Sequence, residues 1–169
     1  DVAMIALAWS TGLRRDEISR IEIADLKHGE EETELLVKKG KGGKKRLAYI
    51  NDGARNALMD WIRLRGIDPG RLFVKVTKDK KVLPGTKLSG EAMRKLLYKR
   101  SLQAGLAESI TWHDFRRTFA TNLWNANIDG VTIQKLMGHA NQNQTARYNR
   151  APEQLRRRAV KVLKVPYKT

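Results

Sequence analysis

Six side chains have types suited to chemistry on a phosphodiester: Arg14, Lys41, His113, Arg116, His139 and Tyr148. Each alone has an ordinary explanation. An arginine at a helix start is usually a solvated charge whose stem covers apolar surface. A lysine in a glycine turn keeps the turn hydrated, and a histidine near a helix start more often caps or packs. A tyrosine near a basic tail is usually half-buried with its hydroxyl hydrogen-bonded. Together, however, they are the parts of one reaction. Two arginines can clamp the non-bridging oxygens of a phosphodiester through charge-assisted, bidentate hydrogen bonds. Histidines can donate to the same phosphate or move protons near neutral pH. A lysine on a hairpin can reach into a groove and protonate a leaving oxygen. Tyrosine is a nucleophile that needs help, because its unperturbed pKa is about 10, and adjacent cations favour its phenolate. Arginines would supply the positive charge that metal ions supply in nucleases, so no metal or other cofactor is expected.

A metal site finds little support. Acidic residues cluster only in GEEETE, residues 29–34, which reads as a solvated approach to a hairpin. His113 has one acidic neighbour, Asp114, and His139 has none, so no ligand motif appears.

The elements that must hold these residues can be read coarsely. Residues 2–10 are almost wholly apolar and predict a core helix. TGLRR breaks it, and Asp16 is expected to cap a short helix through Ile21. Residues 34–39 and 45–50 have strand character, with GKGGK between them as a hairpin turn. Residues 53–65 place Ala54, Leu58, Trp61, Ile62 and Arg65 at helical spacing. Asp68-Pro69-Gly70 marks a turn, RLFV is a short strand candidate, and lysine-rich 75–88 reads as an exposed loop or second ribbon. Ser89 can cap a helix to about Ala104, and Thr111 opens another carrying Phe115, Phe119 and Leu123. Further helices are expected at 130–138, around 143–149 and at 152–164. The fold class is therefore mostly α with a small antiparallel β-sheet (α+β), in one domain over 1–169.

Charge bounds the partner. Lys+Arg 34 against Asp+Glu 18 leaves a net charge of +16. That field attracts polyanions, and so large an imbalance favours nucleic acid over a merely soluble basic protein. Candidate phosphate contacts are Lys38, Lys39, Lys44, Lys45, Arg46, Arg117, Arg156, Arg157 and Arg158. No run approaches the length of a membrane-spanning helix. The apolar start lacks a basic leader and a cleavage site, so it reads as a buried helix. Cysteine is absent, which excludes disulfides and suits a reducing cytoplasm. The chain does not begin with Met, so a fragment of something longer is expected.

With the residues in view, a resemblance emerges. TGLRRDEI (11–18) resembles the first arginine motif of the tyrosine recombinases of the phage-integrase family, with Arg14 and Glu17 matching. KKGKGGKKRLAYI (38–50) resembles that family's lysine hairpin, with Lys41 between two glycines. HDFRRTFAT (113–121) resembles its His-x-x-Arg motif, at His113 and Arg116. LMGH (136–139), followed at a distance by Tyr148, resembles its Gly-His and nucleophile motif. Four motifs in order are far more specific than any one. There are departures: Arg117 stands where many members have histidine, and Lys44 or Lys45 competes with Lys41 for the acid role.

The resemblance implies the integrase catalytic-domain fold and a conservative DNA strand exchange through Tyr148. Glu17 is implied as a supporting residue. It also implies double-stranded DNA as partner, a homotetramer on two duplexes, accessory DNA-bending proteins, no membrane, and an N-terminal clamp domain in the full-length protein. For the segment after Tyr148, packing on its own domain, packing on a neighbour and binding DNA all stay open. Two rivals stand beside this reading. A type IB topoisomerase-like enzyme would share the chemistry but relax supercoils alone. A DNA-binding module without catalysis is opposed by the occupation of all six positions.

Overall fold

A computed structural model describes residues 1–38 and 45–138. The helices and hairpin turn expected at 143–149, 152–164 and around GKGGK lie outside the described residues.

Helix α1 (Val2–Thr11) is the centre of the core. It buries Ala3, Met4, Leu7 and Ala8 and packs against both α3 (Asp52–Arg65) and α5 (Trp112–Asn125). Its apolar composition follows from having partners on two sides. It ends at Gly12, whose φ of 60° places it in the left-handed region and closes the last turn through a bond to the Ala8 carbonyl. Glycine is required here for a second reason: a Cβ would sit 2.5 Å from Cδ1 of Phe119 on α5.

Three antiparallel strands follow in the order β1 (Leu26–His28), β2 (Thr33–Val37), β3 (Arg46–Ile50). Alternation decides which face is inward. Thr33, Leu35 and Val37 are buried on β2, and Ala48 and Ile50 on β3, whereas Leu47 and Tyr49 face out. Leu35 lies opposite Ala48 and Thr33 opposite Ile50, so the inward residues meet across the ladder. Strand β1 has three residues and no alternating signal long enough to read from sequence.

The segment RLFV is not a strand. Leu72, Phe73 and Val74 are buried, yet only an isolated bridge between Glu22 and Arg71 is formed there. The Leu72 amide donates to the Ile21 carbonyl, and the Trp61 indole of α3 donates to the Leu72 carbonyl. These bonds satisfy the backbone without a ladder, and Phe73 stacks on Trp61 with ring centroids 6.2 Å apart. Residues 75–88 contain a short ribbon, β4 (Lys75–Val76) with β5 (Val82–Leu83), one of the two outcomes expected of them.

Helix α4 (Gly90–Gln103) starts as expected at Ser89, whose hydroxyl accepts from the Ala92 amide. Helix α6 (Gly130–Met137) starts at Asp129, whose carboxylate accepts two backbone amides. A second small core of Ala120, Ile133 and Met137 joins α6 to α5.

Candidate active site

Arg14 follows Leu13, a side chain 1% exposed that pins the loop between α1 and α2 (Arg15–Arg20). The helix cap here is Arg14 and not Asp16. The reason lies in Glu17: its Oε2 accepts from the Arg14 backbone amide at 2.8 Å, reaching back over the first turn as a capping box requires. Its Oε1 accepts from Arg14 Nη1 at 3.1 Å. Asp16, one residue earlier, is exposed and pairs loosely with Arg15 at 3.6 Å.

His113 and Arg116 are placed by α5. Thr111 caps this helix in a reciprocal box with Asp114: the Thr111 amide donates to Oδ2 at 2.9 Å, and the Asp114 amide donates to Thr111 Oγ1 at 3.3 Å. The Thr111 hydroxyl and amide bonds hold the Asp114 carboxyl below its ordinary value, against a smaller upward push from burial. His113 is exposed in the first turn, and Arg116 lies one turn further along the same face. Arg116 is 3% exposed. Its Nη1 donates to the Gly12 carbonyl and its Nη2 to the Met137 carbonyl, both at 2.6 Å.

Arg14, His113 and Arg116 line one cavity of about 490 Å³. Arg15, Arg94 and Tyr98 line it as well, so among the described residues four arginines and a histidine line it with a single carboxylate, Asp16. The start of α5 adds backbone amides and the positive end of a helix dipole. The cavity is suited to an anion. Arg15, Arg94 and Tyr98 were missed in the sequence because helix spacing alone does not say that α2 packs on α4. Arg94 pairs with Glu91 at 2.7 Å while reaching the cavity wall.

Glu17 is the junction behind this cavity. Besides Arg14 it binds Arg46, which donates from Nη1 and Nη2 to the two carboxylate oxygens at 3.0 and 2.8 Å. Burial pushes the Glu17 carboxyl up, but the Arg46 and Arg14 hydrogen bonds and charges together outweigh it and hold the group below the ordinary range.

Among the remaining candidates, Lys41, His139, Tyr148, Lys39, Lys44, Arg156, Arg157 and Arg158 lie outside the described residues. Lys38 is paired with Asp25 at 2.5 Å and Glu22 at 3.3 Å, which raises its pKa. Lys45 is exposed. Arg117 is exposed and 3.9 Å from Asp114. Arg46 is not on the surface expected for a phosphate contact: its side chain is 10% exposed and its fork is taken by Glu17. Among the described residues no group of three His, Cys, Asp or Glu is placed to hold a metal ion, and no helix is long and apolar enough to cross a membrane.

Comparison with known proteins places this geometry. The chain is 36% identical over 154 residues to the tyrosine recombinase XerC of Chromohalobacter salexigens, covering 89% of this chain and 48% of that protein. It is 33% identical to the tyrosine recombinase XerA of Pyrococcus furiosus, over 89% of this chain and 50% of that one. The chain thus spans about half the length of the curated relatives it matches. The fold superposes on the crystal structure of a XerA recombinase with a TM-score of 0.74 at 24% identity, covering 98% of this chain and 58% of that one. It superposes on the XerH recombinase bound to its difH substrate with a TM-score of 0.71 at 24% identity, covering 95% and 45%. The mostly helical fold with its small antiparallel sheet is therefore that of tyrosine recombinase catalytic domains. The model of the phage integrase family matches residues 1–154, and the chain belongs to that family.

Proposed function

We propose that this domain cuts and rejoins double-stranded DNA through a covalent 3′-phosphotyrosine at Tyr148. The observation that carries the reading is the meeting of Arg14, His113 and Arg116, from separate elements, on one arginine-rich cavity. Tyr148, its hydroxyl proton released to solvent as the neighbouring cations favour the phenolate, attacks the scissile phosphorus in line, the P–O bond to the 5′-oxygen breaks, and Lys41 protonates that oxygen as it leaves. Arg14, Arg116, His113 and His139 stabilise the charge gathering on the non-bridging oxygens. A 5′-hydroxyl from a partner duplex then attacks the phosphotyrosine and reseals the strand. Bond energy stays in the covalent intermediate, so neither ATP nor a metal is consumed.

The whole protein acts in this reading as a site-specific recombinase in the cytoplasm. It works as a homotetramer on two duplexes, with an N-terminal clamp domain and accessory DNA-bending proteins. The recombinase relatives support this over supercoil relaxation by a monomer. The test is a suicide DNA substrate nicked beside the cleavage point, resolved on a denaturing gel. The unaltered protein should form an adduct and Tyr148→Phe should form none while retaining DNA affinity. Adducts persisting at full level in Tyr148→Phe would show the nucleophile to be misassigned.

A further inference from the structure

Arg46 stands five residues beyond Lys41 in the chain, at the first position of β3. Its partners lie on two other elements. Its Nη1 and Nη2 fork the Glu17 carboxylate of α2, the carboxylate that also holds the Arg14 amide and guanidinium. Its Nε donates to the Leu136 carbonyl in the last turn of α6 at 3.0 Å. Its guanidinium also lies against Gly138, where an added Cβ would be 2.9 Å from Nη1 and 3.0 Å from Cζ. Gly138 has φ 61° and is followed directly by His139. A cation is favourable at this helix end, where carbonyls lack intrahelical partners.

We infer that Arg46 is a positioning residue that locks Arg14, the start of β3 and the end of α6 at Gly138 into one register. This rests on the strand-cleavage reading above. A phosphate contact would need an exposed, unengaged fork. Arg46 instead has all three nitrogens donating within the protein, and its side chain is 10% exposed. Lysine cannot replace it, because one ammonium cannot span two carboxylate oxygens and a carbonyl in a plane. Small displacements of a preorganised site are costly: an error near 1 Å slows reaction by roughly a hundredfold.

The experiment uses the suicide substrate with Arg46→Lys, measuring DNA affinity against salt and single-turnover cleavage at saturating DNA. Affinity and salt slope should match the unaltered protein, while cleavage slows by roughly ten- to a hundredfold. Arg14→Lys and the double variant complete a cycle. If Arg46 acts through Glu17 on Arg14, the second change should slow cleavage far less when the first is already present. A purely structural role would multiply the two losses. Should Arg46→Lys fail to fold, Arg46→Gln with Glu17→Gln removes the buried pair together, leaving Arg14, whose side chain is 29% exposed, as the one charge of the junction; it too should bind normally and cleave slowly. A salt slope reduced by about 0.9 with cleavage unchanged at saturation would make Arg46 a phosphate contact and overturn the inference. Full independence in the cycle, or a fast double glutamine variant, would overturn it equally. Absence of any adduct with the unaltered protein would instead sink the strand-cleavage reading.

Discussion

Arg116 donates to the Gly12 carbonyl across 104 residues of sequence, at 2.6 Å. Gly12 is two positions before Arg14, so one arginine of the candidate clamp holds the loop that presents the other. The second Arg116 bond, to Met137, holds the helix end that precedes His139. Arg116 is thus built into the protein before any phosphate arrives.

Arg116→Ala should therefore lower stability as well as rate. A hydrogen bond from a charged group contributes about 1.5–3 kcal/mol, and those to Gly12 and Met137 are both lost. Cleavage should fall further, since a preorganised charge donor in such a site contributes roughly 3–4 kcal/mol to the barrier. Urea unfolding and single-turnover cleavage below the unfolding transition separate the two effects. The salt slope should fall by no more than about 0.9, because a single phosphate contact is involved. The triple alanine change at Arg156, Arg157 and Arg158 should do the reverse, lowering the slope by about 0.9 per lost contact on specific and random DNA alike. A tail variant with an unchanged slope, beside Arg116→Ala losing affinity as fast as rate, would exchange the two assignments.

Lys41→Ala should slow cleavage strongly on an ordinary strand. A 5′-bridging phosphorothiolate leaves without a proton, so the variant should cleave that substrate at nearly the unaltered rate. A rescuable defect at Lys44→Ala or Lys45→Ala instead would move the acid along the hairpin.

Gly12→Ala tests the packing behind the site. The left-handed backbone costs alanine about 1–2 kcal/mol. The clash with Phe119 adds about 1–3 kcal/mol of overpacking. Gly105→Ala is the control, with φ 68° at the end of α4 and nothing within 4 Å of the added Cβ. Chemical denaturation should find the Gly12 variant clearly the weaker of the two; equal losses would mean that Phe119 moves aside freely.

Glu17 carries an acid dependence with a definite sign. Its carboxyl is depressed in the folded protein, so its contribution is complete above the ordinary glutamate value of about 4.3 and is lost as pH falls through the depressed one. Urea midpoints measured across the acid range should fall more steeply for the unaltered protein than for Glu17→Gln. Parallel curves would leave the Arg14–Glu17–Arg46 junction without this role.

The chain alone determined the helices at 2–11, 52–65, 90–103 and 112–125, because each has a local signature: apolar content, helical spacing or a side-chain cap. It also determined the types and order of the candidate site residues, since the motif spacing is a property of the sequence. It could not tell Arg46 from its lysine neighbours. All look like solvated charge in a basic hairpin, and only the arrival of α2 and α6 beside β3 supplies a carboxylate and a carbonyl to bury one of them. The cap of α2 was misread for the same kind of reason: Asp16 has the better capping side chain, but Glu17 is held in place by two arginines, one of them 29 residues away. RLFV carried enough apolar character to be buried but no pairing partner of its own, and the tertiary fold gave it the Ile21 backbone and the Trp61 indole in place of a ladder. Local free energies are written in neighbouring residues. The fate of a buried charge depends on a partner that only long-range packing brings within reach.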